Sequence, residues 1–198
     1  MFDGLGRQLR KPSGFFGRLV AKMMDNRNRR FYEKIINDLD LKSDDKIFEI
    51  GYGPGLGISL IANRISDCTI GGIDFSELMH KQATQRNQKF VDKGIVNLKF
   101  GNFLTSNIET TYDKVFCVNV IYFWSDLNVA FSKIFRMLNT GGRFCIFMNH
   151  KKDLEGLSFA KDFNIYSIEK VESALKAVGF ASVDFVLDEG YFIKAIKR

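Results

Sequence analysis

Apolar positions along this chain recur with two periods that alternate. Phe16, Leu19, Val20, Met23 and Met24 fall at the i, i+3, i+4, i+7, i+8 spacing of a helix seam, with Arg18 and Lys22 away from it. Pro12 biases Lys11 away from helix, so residues 2–12 read as an extended arm and Ser13 as the cap of the helix that follows. A second helix is predicted with Tyr32, Ile35, Ile36 and Leu39 on one face. From Lys46 short apolar runs alternate with helical patterns. Strands are predicted at 46–51, 68–74, 96–100, 112–120 and 143–148. Helices are predicted at 56–65, from a Ser76 cap to about Lys93, at 127–138, and from Ser167 to Val178. The Gly141-Gly142 pair reads as the end of the third of these. Residues 181–187 and 191–196 are both strand-like and joined by only Asp188-Glu189-Gly190. So short a connection can join only an antiparallel pair, because a parallel crossover needs a dozen residues or more. The predicted fold is α/β: a doubly wound, mostly parallel seven-stranded sheet with an antiparallel C-terminal strand.

At 198 residues this pattern fills one domain, with 1–40 as a helical cap segment and 41–198 as the sheet domain. No apolar run reaches the roughly 18–20 residues of a membrane span, and the N-terminus lacks an apolar signal core. Cys68, Cys117 and Cys145 are odd in number, widely spaced and in strand-like runs. Reduced buried thiols in a cytoplasmic protein are the expectation, with no metal site. The net charge of +6 belongs to residues 1–34, where nine Lys/Arg meet three acids, so the remainder is neutral. Such an arm admits an alternative class, a nucleic-acid or membrane-surface binding module, although the same charges also suit a solvated face.

The chemistry concentrates where strand one ends, in Glu49-Ile50-Gly51-Tyr52-Gly53-Pro54-Gly55-Leu56-Gly57. A glycine turn between strand and helix lets backbone approach a ligand and presents free helix-start amides. A dinucleotide fingerprint would need its third glycine at position 56, which is Leu56, and this weakens a nucleotide-linked oxidoreductase reading. Asp74 follows 23 residues after Gly51, at the end of strand two, where two carboxylate oxygens can accept from two vicinal ribose hydroxyls.

The ordered set E-I-G-x-G-x-G, G-I-D-F-S, G-N-F, Y-D-K-V-F-C-V-N-V-I-Y-F-W and the glycine pair resembles the class I S-adenosylmethionine-dependent methyltransferases over residues 46–198. Within that class it is most similar to the small-molecule, quinone-biosynthesis-type branch. The resemblance implies S-adenosylmethionine as cofactor and a small-molecule methyl acceptor as partner. It places Glu49, Gly51, Tyr52, Gly53 and Gly55 along the methionine part and Asp74 on the ribose, with Phe75 and Met79 against the adenine. Asn102 and Phe103 fall in the base-binding motif, Asn102 standing where the family usually has Asp, and Asn119 falls near the ammonium and sulfonium. Methyl transfer from a sulfonium chiefly needs alignment and exclusion of water. A base matters only if the acceptor must lose a proton. Tyr122 and Trp124 after strand four and His150 after strand five are placed for the site, with Tyr122 and His150 the catalytic candidates and the aromatics alternatively wall residues. His80 reads as a surface or packing residue. The apolar helices before strand one are expected to cover the cofactor and shape an acceptor pocket, with Tyr32 as a wall.

Overall fold

The computed structural model describes residues 14–157 and 160–198, and of residues 14–26 only the helical course of the backbone. The predicted arm, the Ser13 cap and the side chains of the first helix seam therefore lie outside the described residues. The two predicted N-terminal helices are one, α1 (Gly14–Leu39). Nothing between the two seams breaks a helix: residues 25–30 are Asp, Asn and Arg with no glycine or proline. The helix stops at Asp40, whose φ is 53°.

The sheet contains β1 (Lys46–Ile50), β2 (Thr69–Asp74), β3 (Val96–Phe100), β4 (Tyr112–Val118), β5 (Leu138–Met148), β6 (Ser182–Leu187) and β7 (Tyr191–Ile196). Their spatial order is β3-β2-β1-β4-β5-β7-β6. The first five pair in parallel, and β7 runs antiparallel between β5 and β6, as the three-residue connection required. Side chains alternate across it: Phe144, Ile146 and Met148 of β5 enter one layer, Cys145 and Phe147 the other. Helices α5 (Leu127–Met137) and α7 (Ile168–Ala177) cover the first layer. The second is covered by α1, α2 (Leu56–Arg64), α3 (Glu77–Arg86) and the short α4 (Gln88–Val91).

Two boundaries differ from the expectation. The helix predicted to run from Ser76 to Lys93 breaks at Asn87, whose side-chain amide is drawn inward to the carbonyls of Gly55 and Ala83. Helix α5 ends before the glycine pair: Leu138 already pairs with Tyr112, and Gly141-Gly142 lies inside β5. The Lys197 ammonium takes the carbonyls of Phe135 and Leu138 that a glycine cap would otherwise have served. The cysteines are free and buried, with Cys68 just ahead of β2. Among the described residues no helix is long and apolar enough to cross a membrane, and no cluster of His, Cys, Asp and Glu could hold a metal ion.

The C-terminal half of α1 belongs to the core. Phe31 stacks on Phe147 at 3.9 Å, and Ile35, Ile36 and Leu39 are fully buried beneath it. Part of the basic surplus is also paired: Arg30 bridges to Glu189, and Lys34 reaches Asp188 at 2.9 Å, both in the β6–β7 turn.

Candidate active site

Five parallel strands deliver their C-terminal ends to one cavity of about 270 Å³. The residues there are Gly51 after β1, Asp74 closing β2, Asn102 after β3, Asn119 after β4 and Asn149 after β5. This is the edge at which open α/β sheets bind ligands.

The turn after β1 has the conformation its glycines predict. Gly51 and Gly53 have φ of 70° and 52°, where a side chain would be strained. A Cβ at Gly53 would meet nothing within 4 Å, so the missing side chain opens space along the cavity. The Gly53 amide donates to Asp74 Oδ2 at 2.9 Å, and the Ser76 amide donates to Oδ1 at 2.8 Å. Each oxygen keeps acceptor capacity beyond that bond, so the buried carboxylate is oriented by backbone and still able to receive two hydroxyls. Burial raises the Asp74 carboxyl to about 6, against the pull of these two amides. Phe75, Met79 and Phe103 line the cavity beside it and offer flat apolar surface.

Five residues named from the sequence for the site or its wall lie outside the lining, each for a visible reason. Glu49 is completely buried beneath the turn, against Tyr32 and Gly57. Burial pushes its carboxyl up to about 8; the Tyr32 side chain pulls it down, the charge of Asp74 raises it further, and the Ile58 amide lowers it. Tyr32 itself is therefore in the core and not a cavity wall. Tyr52 turns under β2, donating its hydroxyl to the Lys99 carbonyl and meeting His80 Nδ1 at 2.9 Å, which gives His80 the packing role expected of it. Gly55 sits where α2 meets α3, and a Cβ there would come within 2.8 Å of Ala83 Cβ. His150 starts α6 (Lys151–Glu155), accepting from the Lys152 amide at 3.1 Å and stacking on Tyr191 at 5.4 Å.

Asn102, Asn119 and Tyr122 do line the cavity. Asn102 accepts from the Leu104 amide at 2.9 Å, so its oxygen secures its own loop. Asn119 adopts φ 59° and becomes the centre of a polar floor. Its Oδ1 accepts from Asn149 Nδ2 at 2.8 Å and from the Tyr122 hydroxyl at 3.4 Å, and its Nδ2 donates to Asn28 Oδ1 at 3.3 Å. The Asn149 amide donates to the Tyr122 oxygen. The phenol is thus engaged on both sides, and burial pushes its pKa well up. That environment suits a fixed hydrogen-bonding group and disfavours a phenolate base.

Sequence reasoning missed Asn149 and Phe163; it expected the segment before β1 to contribute but named Tyr32, whereas the residues of α1 in the lining are Arg27, Asn28 and Phe31. Asn28 carried a usable signal in its spacing, a polar residue one turn ahead of Tyr32 in line with the apolar face of α1. Phe163, in a loop between two helices, carried none.

Comparison with known proteins bears on this geometry. A family model described as "Methyltransferase domain" matches residues 48–146. The uncharacterized methyltransferase YdaC of Bacillus subtilis (strain 168) is 32% identical over 167 residues, 84% of this chain and 88% of that protein. A sterol 24-C-methyltransferase of Debaryomyces hansenii is 22% identical over 160 residues, 74% of this chain but only 42% of that protein. Among solved structures, Haemonchus contortus phosphoethanolamine N-methyltransferase 2 in complex with S-adenosyl-L-methionine superposes with a TM-score of 0.74 at 18% identity. That match takes in 85% of this chain, which spans about half the length of the Haemonchus contortus enzyme. The sheet order, the strand-end cavity and the match over residues 48–146 agree: the chain belongs to the methyltransferase-domain family and is an S-adenosylmethionine-dependent methyltransferase.

Proposed function

We propose that this enzyme transfers the methyl group to a small-molecule acceptor held in the same cavity as the cofactor. The observation that carries this reading is the convergence of five strand ends around one buried, amide-oriented carboxylate, Asp74. The residues present fit the cofactor. Asp74 receives the ribose hydroxyls, Gly51 and Gly53 let the chain approach the methionine part, and Phe75, Met79 and Phe103 flank the base. Asn119, at the end of β4, stands toward the ammonium end. Glu49, from beneath the turn, adds negative charge behind the ammonium and sulfonium of the ligand once it ionises. When bound, the cofactor supplies an electrophilic methyl on a positively charged sulfur; the acceptor's electron pair forms the new bond and the C–S pair returns to sulfur.

The protein's share is alignment and exclusion of water. Residues 1–40 contribute a cap, in which Arg27, Asn28 and Phe31 close one side of the cavity while Ile35, Ile36 and Leu39 of α1 anchor them in the core. Tyr122 is a positioning residue, through Asn119 and Asn149. A quinone-type acceptor falls within this reading. The oxidoreductase and nucleic-acid alternatives gain no support, and Arg30 and Lys34 of the basic segment are engaged by Glu189 and Asp188.

Calorimetry with S-adenosylmethionine and S-adenosylhomocysteine tests the cofactor half, and transfer of a tritiated methyl into metabolite fractions tests the acceptor half. Micromolar binding with label in a low-molecular-weight product is expected. Label found only in protein or nucleic acid would overturn the small-molecule reading.

A further inference from the structure

The cavity has two chemically distinct parts. Its inner part is the glycine turn and Asp74; its outer part is aromatic and aliphatic over a neutral floor. Tyr122 and Phe163 lie parallel, with ring centres 5.8 Å apart and planes 6° apart, and Phe123 meets Phe163 edge-on at 5.2 Å. The loop carrying Phe163 is pinned to this wall, because the backbone and side-chain amides of Asn164 both donate to the Tyr122 carbonyl. Leu154 and Leu157 continue the apolar lining toward solvent, Leu154 buried and Leu157 38% exposed. The floor is three carboxamides and a phenol, and none of them carries charge. The other ionisable lining groups, Arg27 and Asp153, are exposed at the edge and opposite in sign.

An ionised group brought to that floor would surrender its hydration and find no counter-charge among the floor residues, since Asp74 belongs to the inner part and Arg27 and Asp153 to the solvent edge, and this is unfavourable. An apolar body would gain the burial of its surface against rings already fixed by one another. We infer that this outer part is an acceptor subsite selective for an uncharged, apolar molecule, and that it rejects acceptors carrying phosphate, carboxylate or ammonium beside the reacting atom. The inference rests on the cofactor occupying the inner part, as proposed above.

The chain contains a single tryptophan, and Trp124 is in the cavity lining, so its emission reports occupancy without a label. Calorimetry first establishes binding of S-adenosylhomocysteine. The loaded protein is then titrated with geraniol, geranyl monophosphate and geranylamine, which share one body and differ in the charge of the head. A parallel set built on a naphthalene ring replaces the chain with a flat body. The neutral member of at least one set is expected to saturate the Trp124 signal, with its charged partners binding at least thirtyfold more weakly. Leu157→Asp, a change at a half-exposed position, is expected to weaken the neutral ligand at least tenfold while S-adenosylhomocysteine affinity stays the same. Charged members binding as tightly as neutral ones, neither neutral molecule binding, or Leu157→Asp without effect would each overturn the inference. Failure of S-adenosylhomocysteine to bind would instead overturn the cofactor reading, and this subsite with it.

Discussion

Glu49 offers a test of the site's electrostatics that needs no acceptor. The carboxyl is completely buried and raised from 4.5 to about 8, so the folded protein holds a proton on it that the unfolded chain releases. Between these two values the native state binds one more proton than the unfolded state. Stability then falls as pH rises, by about 1.4 kcal/mol per pH unit. The loss begins above 4.5 and is complete above about 8. From pH 5.5 to pH 8.5 this group should remove roughly 3 kcal/mol, a large part of a typical folding free energy. Glu49→Gln keeps the shape and removes the titration. Urea unfolding of the ligand-free parent and variant at both pH values isolates the effect, because other titrating groups, Asp74 included, are common to both. The variant should gain roughly 3 kcal/mol on the parent between the two conditions. A parent–variant difference that stays constant across this range would refute the reasoning, and would mean that Glu49 is already ionised in the fold or reached by water.

Asp74 must be ionised to receive ribose hydroxyls, and its carboxyl is raised to about 6. S-adenosylhomocysteine affinity should therefore be flat above pH 7 and fall about tenfold by pH 5, as calorimetry across that range would reveal. Asp74→Ala should weaken the same ligand by roughly 1.5–3 kcal/mol at pH 7.5, and equal affinities would remove Asp74 from the site. Gly53→Val places a branched side chain at φ 52° in the space beside Asp74. A folded variant by circular dichroism should not bind the cofactor, and retained affinity would detach the turn from the site. Phe31→Ala removes a ring stacked at 3.9 Å on Phe147. It should cost about 3–5 kcal/mol in urea unfolding, and a chain beginning at Lys42 should fail to fold, whereas a stable truncation would make α1 a detachable cap.

What the sequence determined about this protein was whatever depends on neighbours along the chain. The seam at 127–138, the Ser76 and Ser167 caps, the reversed last strand and the glycine turn follow from periodicity and from connection length. Asp74 and the glycine turn were each legible as strand-end features, but their contact follows from the parallel pairing of β1 with β2. Tertiary structure decided everything that required one segment to reach another. Glu49, Tyr52 and Gly55 share a motif with Gly51 and Gly53, yet alternation around the strand end turns them inward, and only packing against Tyr32, His80 and Ala83 reveals it. Asn28, the neighbouring pair Asn119 and Tyr122, and Asn149 come from three separate stretches of the chain and form one floor only because α1 and the ends of β4 and β5 meet there. Periodicity reports which face of an element is buried, but it does not specify what the other elements bring to that face.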